Sequence, residues 1–237
     1  MRTPVLCLKT SLTLLSHDPS KVEEAIDTTL SDLGLDYLDL YLMHWPVGDF
    51  SGKKKIHYLP TWEAMVQLLQ SGKTRHIGIS NFDPAQLKDL LAHTKVKPAV
   101  HQMEMHPYLQ QRDWLAFHEE HGIHVTAYSP LAGTNPTYGG GEPVQLLKNK
   151  AVTAIAEKRG CTPAQVALAW GMSRGTSVIP KSSHAGRIEE NFGAKECDLY
   201  KTDYAVLAEL GNVHYRYNNP SKSWGVDLYE GLEGTSA

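Results

Sequence analysis

Residues 176–191, TSVIPKSSHAGRIEEN, put the makings of an anion site into one short stretch. Val178 and Ile179 are β-branched and read as a buried strand. Pro180 ends it, because proline has no N–H for a sheet ladder. Lys181, Ser182 and Ser183 then fall at the strand's C-terminal mouth, and Ser183 is a good residue to cap a following helix. Arg187 and Asn191 are four apart and share one face of that helix. Unpaired N–H groups, a positive helix end and fixed cations are what a phosphate needs. The plainer reading is a strand-to-helix connection with solvated charges.

Other polar residues close other β-like runs. They are His44, Ser80 and Asn81, Gln102, and Tyr128 with Ser129. Serine and amide side chains offer donor and acceptor together, which suits a ligand amide. An aromatic face can fix a flat ring. Each has a structural alternative. His44, before Trp45-Pro46, reads also as a satisfied histidine, Ser80-Asn81 as a turn before Asp83-Pro84, and Tyr128 as core. His101, Glu104 and His106 look like a metal set, but a strand turns Glu104 and His106 to one face and His101 to the other.

The elements that must hold these groups alternate. Strands are predicted at Val5–Leu8, Leu38–His44, His76–Ser80, Ala99–Glu104, His124–Tyr128 and residues 177–180. Helices are predicted at about 20–33, from Thr61 as cap to Gly72, after Asp83-Pro84, at Asp113–His121, and at about 145–159, 163–173, 184–192 and 202–210. The first of these helices carries Val22, Ile26, Leu30 and Leu33 at helical spacing. Strand–helix alternation signals a parallel sheet under covering helices. Functional groups at strand C-termini, with a phosphate site after the last strand, fit a (β/α)₈ plan. No G-x-G-x-x-G turn opens the chain, as a doubly wound dinucleotide fold would have it.

With 237 residues, 41% hydrophobic and 21% charged, the chain is long enough for one sizeable domain. A formal net charge of -3 points to neither nucleic acid nor an anionic membrane. No apolar run approaches the ~20 residues of a membrane helix, and Lys9 interrupts the N-terminal apolar stretch, so no signal peptide is expected. Cys7, Cys161 and Cys197 are far apart, which argues for a reducing, cytoplasmic setting and against a disulfide framework.

Five ordered motifs carry a resemblance. They are LGLDYLDLYLMHWP (33–46), GKTRHIGISNF (72–82), KPAVHQMEMHPYLQ (97–110), VTAYSPL (125–131) and IPKSSHAGRIEEN (179–191). The sequence resembles the aldo-keto reductase family from about residue 19 to the tail RYNNPSKSWG. The resemblance implies a single TIM-type (β/α)₈ barrel domain over 1–237 and NADP(H)-dependent reduction of small aldehydes or ketones by a monomer. It implies that His44 orients the substrate carbonyl. Ser80, Asn81 and Gln102 would hold the nicotinamide carboxamide, and Tyr128 would stack on the ring. Ser129 and Leu131 would begin the loop over the pyrophosphate. Lys181, Ser182 and Arg187 would bind the adenosine 2′-phosphate, with Glu190 and Asn191 near the adenine.

The sequence also departs from the pattern. The family's first two barrel strands, with its catalytic tyrosine and aspartate, have no counterpart in these residues. The catalytic lysine's place falls near Ser11, where the local match is broken. Tyr37, Tyr41 and Tyr58 are poor substitutes by position. Position 101 is histidine, where the family usually has asparagine. The resemblance therefore leaves a second reading, a catalytically silent NADP-binding or structural remnant.

Overall fold

The computed structural model describes residues 7–9, 17–47, 57–133 and 145–232. The candidate lysine position near Ser11 and residues 134–144, in the loop that Ser129 and Leu131 begin, lie outside them. Six strands are described, β1 Cys7–Lys9, β2 Leu40–Met43, β3 Ile77–Ser80, β4 Val100–Glu104, β5 His124–Tyr128 and β6 Ser177–Val178. They match the six sequence expectations in place and order. The nine α-helices described are α1 Val22–Leu33, α2 Tyr58–Gln70, α3 Pro84–His93, α4 Arg112–His121, α5 Lys150–Arg159, α6 Pro163–Ser173, α7 Ala185–Phe192, α8 Lys201–Glu209 and the single turn α9 Ser221–Trp224.

The chain forms two compact units. The first takes the described residues up to Gln102, with His118–His124 and Pro220–Gly231. Here β1, β2, β3 and β4 lie side by side in chain order, with parallel registers such as Tyr41 opposite Ile77 and Ser80 opposite Gln102. β2 and β3 are buried along their whole length, as parallel strands covered on both faces must be. Gly78 in β3 is the closest approach. A Cβ there would lie 2.6 Å from Leu42 Cδ2 and closer still to the Val100 carbonyl oxygen. α1 ends where Gly34 takes φ 64°, the left-handed C-cap that glycine adopts without strain. α3 starts on a reciprocal capping box between Asp83 and Gln86.

The second unit takes Met103–Phe117, Val125–Asn219 and Leu232. The end of β4 lies by the end of β5, where the Met105 N–H donates to the Tyr128 carbonyl. β6 pairs parallel to β5, with Ala127 opposite Val178. α6 is apolar nearly all round and correspondingly buried. Val178 sits so close to its Gly171 that a Cβ there would meet Val178 Cγ1 at 2.7 Å.

Several local expectations are corrected. Thr61 does not cap α2. His57 does, and Thr61 is buried one turn in, its hydroxyl donating to the His17 carbonyl. His184, not Ser183, is the N-cap of α7; Ser182 Oγ accepts the His184 N–H at 3.1 Å instead. β6 is not a buried strand, since Ser177 is exposed and Ile179 is 44% exposed. Val178 is the residue of this two-residue strand that packs on Gly171 of α6. Leu33 of α1 is exposed. The expectation against a disulfide is overturned, because Cys161 and Cys197 are joined in one. They are 36 residues apart in sequence, yet the start of α6 packs on the 3₁₀ turn Gly193–Glu196 that follows α7.

Candidate active site

In the first unit the polar strand ends converge. β3 ends at Ser80, whose hydroxyl donates to the Gln102 carbonyl at 2.7 Å. The next residue, Asn81, has φ 62° and donates its backbone N–H to the same carbonyl at 3.1 Å. A non-glycine residue in the left-handed region is held there by its neighbours, at a cost of about 1–2 kcal/mol. The Asn81 Nδ2 donates to the His44 carbonyl at 2.9 Å, and the Tyr229 hydroxyl donates to Asn81 Oδ1 at 3.4 Å. His44, Ser80, Asn81 and Gln102 thus form one connected group. Sequence reasoning had weighed Ser80-Asn81 as a simple turn. It is a turn, and it leads into the Asp83 cap, but its side chains are spent on β2 and β4 rather than on α3.

The decisive atom set is the Gln102 side-chain amide. Gln102 is 3% exposed, yet its amide has no partner among the described residues. It stands beside Ser80 across the β3–β4 pair, and the Ser80 hydroxyl oxygen, a donor to the Gln102 carbonyl, can also accept. Such a group can take both edges of a ligand carboxamide.

His44 is half-buried and stacks on Trp45 at 5.7 Å. Trp45 also meets Trp224 at 4.9 Å and Tyr229 at 6.1 Å, both edge-on. Trp45, Trp224 and Tyr229 are not among the site residues expected from the sequence. Tyr58 is a weak proton donor here. Burial first, then its hydrogen bond to Asp89 at 2.6 Å, pushes its pKa well above the ordinary phenol value.

In the second unit Tyr128 is 8% exposed, and its hydroxyl accepts from Asn218 Nδ2 at 3.2 Å. Asn218 belongs to a strap, Arg216–Asn218, tied down by the fully buried Glu104. Glu104 Oε1 accepts the Tyr217 N–H at 2.8 Å and its Oε2 the Asn218 N–H at 2.9 Å. His106 Nε2 lies 3.1 Å from Oε1, and Gln111 Nε2 donates to the Glu104 carbonyl at 2.6 Å. Glu104 and His106 therefore meet each other on one side of β4, as the strand period requires. Ser129 and Ala132 take φ 48° and 49°, so the chain turns sharply straight after Tyr128, with Leu131 half-buried between them.

The anion-like segment is arranged for solvent. Lys181 and Arg187 are exposed, and neither has a carboxylate partner among the described residues. Ser182 is half-buried and bonded to the His184 N–H, while Glu190 and Asn191 are half-buried on α7. The Glu190 carbonyl accepts from Gln165 Nε2 of α6 at 3.0 Å, which anchors the helix.

The profile of the Aldo/keto reductase family matches residues 6–212. The chain belongs to that family. An uncharacterized oxidoreductase of Schizosaccharomyces pombe is 42% identical over 233 residues, covering 92% of this chain and 71% of the relative. An aldo/keto reductase of Synechocystis is 42% identical over 217 residues, covering 85% of this chain and 66% of the relative. The chain thus spans roughly two thirds of the length of these curated relatives. The solved aldose reductase from Giardia lamblia superposes with a TM-score of 0.86 at 37% identity, over 95% of this chain and 78% of that one. The aldo-keto reductase fold is therefore established, and six parallel strands of its (β/α)₈ barrel are among the described residues. Family membership makes the chain an NADP(H)-linked oxidoreductase of carbonyl compounds. No described helix is long and apolar enough to cross a membrane.

Proposed function

We propose that the chain binds NADP(H) and reduces small aldehydes or ketones to alcohols, with the nicotinamide carboxamide held by Ser80, Asn81 and Gln102. The convergence of Ser80 and Asn81 on Gln102 at neighbouring strand ends carries this reading. Bound NADPH supplies the hydride. Gln102 and Asn81 orient the carboxamide, and Tyr128 offers its face to the ring while Asn218 bonds its hydroxyl. His44 points the carbonyl and can polarise its oxygen through a ring N–H, and water supplies the proton that turns the alkoxide left by hydride addition into the alcohol. Trp45 and Trp224 give that place an apolar wall. At the other end of the cofactor, Lys181, Ser182 and Arg187 take the 2′-phosphate, Ser129 and Leu131 approach the pyrophosphate, and Glu190 and Asn191 approach the adenine. A D-xylose reductase of Scheffersomyces stipitis, described as NAD(P)H-dependent, is 40% identical over 227 residues. A small polar aldehyde is therefore a reasonable first substrate class. The same reading has the protein act as a monomer in the cytoplasm; the Cys161–Cys197 bond is the one feature that pulls against that compartment.

The test is cofactor choice. Arg187→Ala removes a charge-assisted contact worth about 1.5–3 kcal/mol. NADPH should then bind about 10- to 150-fold more weakly, and NADH within about twofold of the parent. Fluorescence quenching reads both. Equal weakening of the two cofactors overturns the 2′-phosphate assignment.

A further inference from the structure

Two histidines outside this assignment meet in the first unit. His101 of β4 and His118 of α4 are both fully buried. His101 Nδ1 lies 2.7 Å from His118 Nε2, with the ring centroids 4.8 Å apart. The other nitrogen of His101, Nε2, lies 3.1 Å from the backbone nitrogen of Phe82. A backbone N–H can only donate, so Nε2 must be the bare nitrogen. A neutral imidazole carries one N–H, so the proton sits on Nδ1 and donates to His118 Nε2. His118 in turn keeps its proton on Nδ1. One hydrogen-bond direction thus runs from Phe82 through His101 to His118.

Phe82 directly follows Asn81, the residue held at φ 62°. Its ring is buried, edge-on to Tyr58 at 5.1 Å and to His101 at 6.3 Å. The N–H captured by His101 is therefore the first anchor after the strained residue. We propose that His101 and His118 act as a tautomer-locked pair that positions Asn81 for the cofactor carboxamide. His118 is the lock. Without its acceptor, His101 can move its proton to Nε2, and the Phe82 N–H then faces a donor. An asparagine at position 101 ends one bond short of the Nε2 place, so this arrangement belongs to the histidine found here. The proposal rests on the carboxamide reading above.

The test compares NADPH with adenosine 2′,5′-bisphosphate, which lacks the nicotinamide, using Asn81→Ala as the reference. His118→Leu should weaken NADPH by about tenfold, as loss of one buried acceptor does, and leave the bisphosphate within about twofold. His118→Gln, whose Oε1 reaches near the Nε2 place, should restore NADPH affinity. If His118→Leu fails to fold, His118→Asn, polar but too short to accept from Nδ1, carries the same expectation. Weakening by Asn81→Ala without weakening by the His118 variants overturns the pair's role. So does equal loss of both ligands, which marks a merely structural residue. No effect of Asn81→Ala overturns the carboxamide reading itself, and the pair's role with it.

Discussion

Glu104→Ala should destabilise the protein by about 3–5 kcal/mol, the usual cost of breaking a buried charge network from one side. The carboxylate takes the Tyr217 and Asn218 N–H groups and faces His106. Alanine would leave all three without their acceptor. Urea unfolding of both proteins at pH 7 measures the loss, and a shift under 1 kcal/mol would show that the strap is held by other contacts. The pH dependence follows from the same network. Burial pushes the Glu104 pKa up, but the hydrogen bond and charge of His106, the charge of Arg216 and the Tyr217 N–H outweigh it and hold it below the ordinary carboxylate value. A carboxyl depressed in the folded state gives stability that is present above its unfolded pKa of about 4.3 and is lost as pH falls through the lower folded value. The gap between the parent and Glu104→Ala should therefore narrow on acidification below about pH 4 and hold steady between pH 6 and 8. A cofactor readout should move as well, since the same strap carries Asn218 to the Tyr128 hydroxyl.

Gly78→Ala should cost about 3 kcal/mol, the upper end of what overpacking costs. The new methyl would meet Leu42 Cδ2 and the Val100 carbonyl oxygen. Leucine can turn away, but a carbonyl on the neighbouring strand cannot move without pulling β4 from β3. Because Ser80 and Gln102 pair two residues further along the same strands, the expected result is lower melting temperature together with weaker NADPH binding. Thermal scans and fluorescence titration of Gly78→Ala check both. Unchanged stability would mean that the sheet flexes there at no cost.

Local physics made much of the molecule legible. The Asp83-Pro84 start, the Gly34 stop and six strand positions rest on rules that reach no further than about one turn along the chain, and the fold follows from their alternation. The polar strand ends could be picked out for the same reason. What stayed hidden spans longer separations. His118 as the partner of His101, and Glu104 as the anchor of residues 217 and 218, depend on which helix or strap comes to lie over a strand. Ser183 as a cap was one residue early, because Ser182 bonds the His184 N–H first. Cys161 and Cys197 looked unrelated because nothing near either residue signals the other.

That cysteine bond changes the connectivity of the segment proposed for the cofactor's phosphate end. It turns residues 161–197 into a covalent ring that contains Lys181, Arg187 and Asn191. In a chain-entropy view, closing a loop of this length takes about 4 kcal/mol from the unfolded ensemble. The ring also alters what a protease can achieve. The exposed stretch from Ile179 to Arg187 is its natural entry point, yet one cut there opens the ring without parting the molecule. The two halves stay joined through sulfur, and a reductant is needed to part the covalently linked ends of this segment.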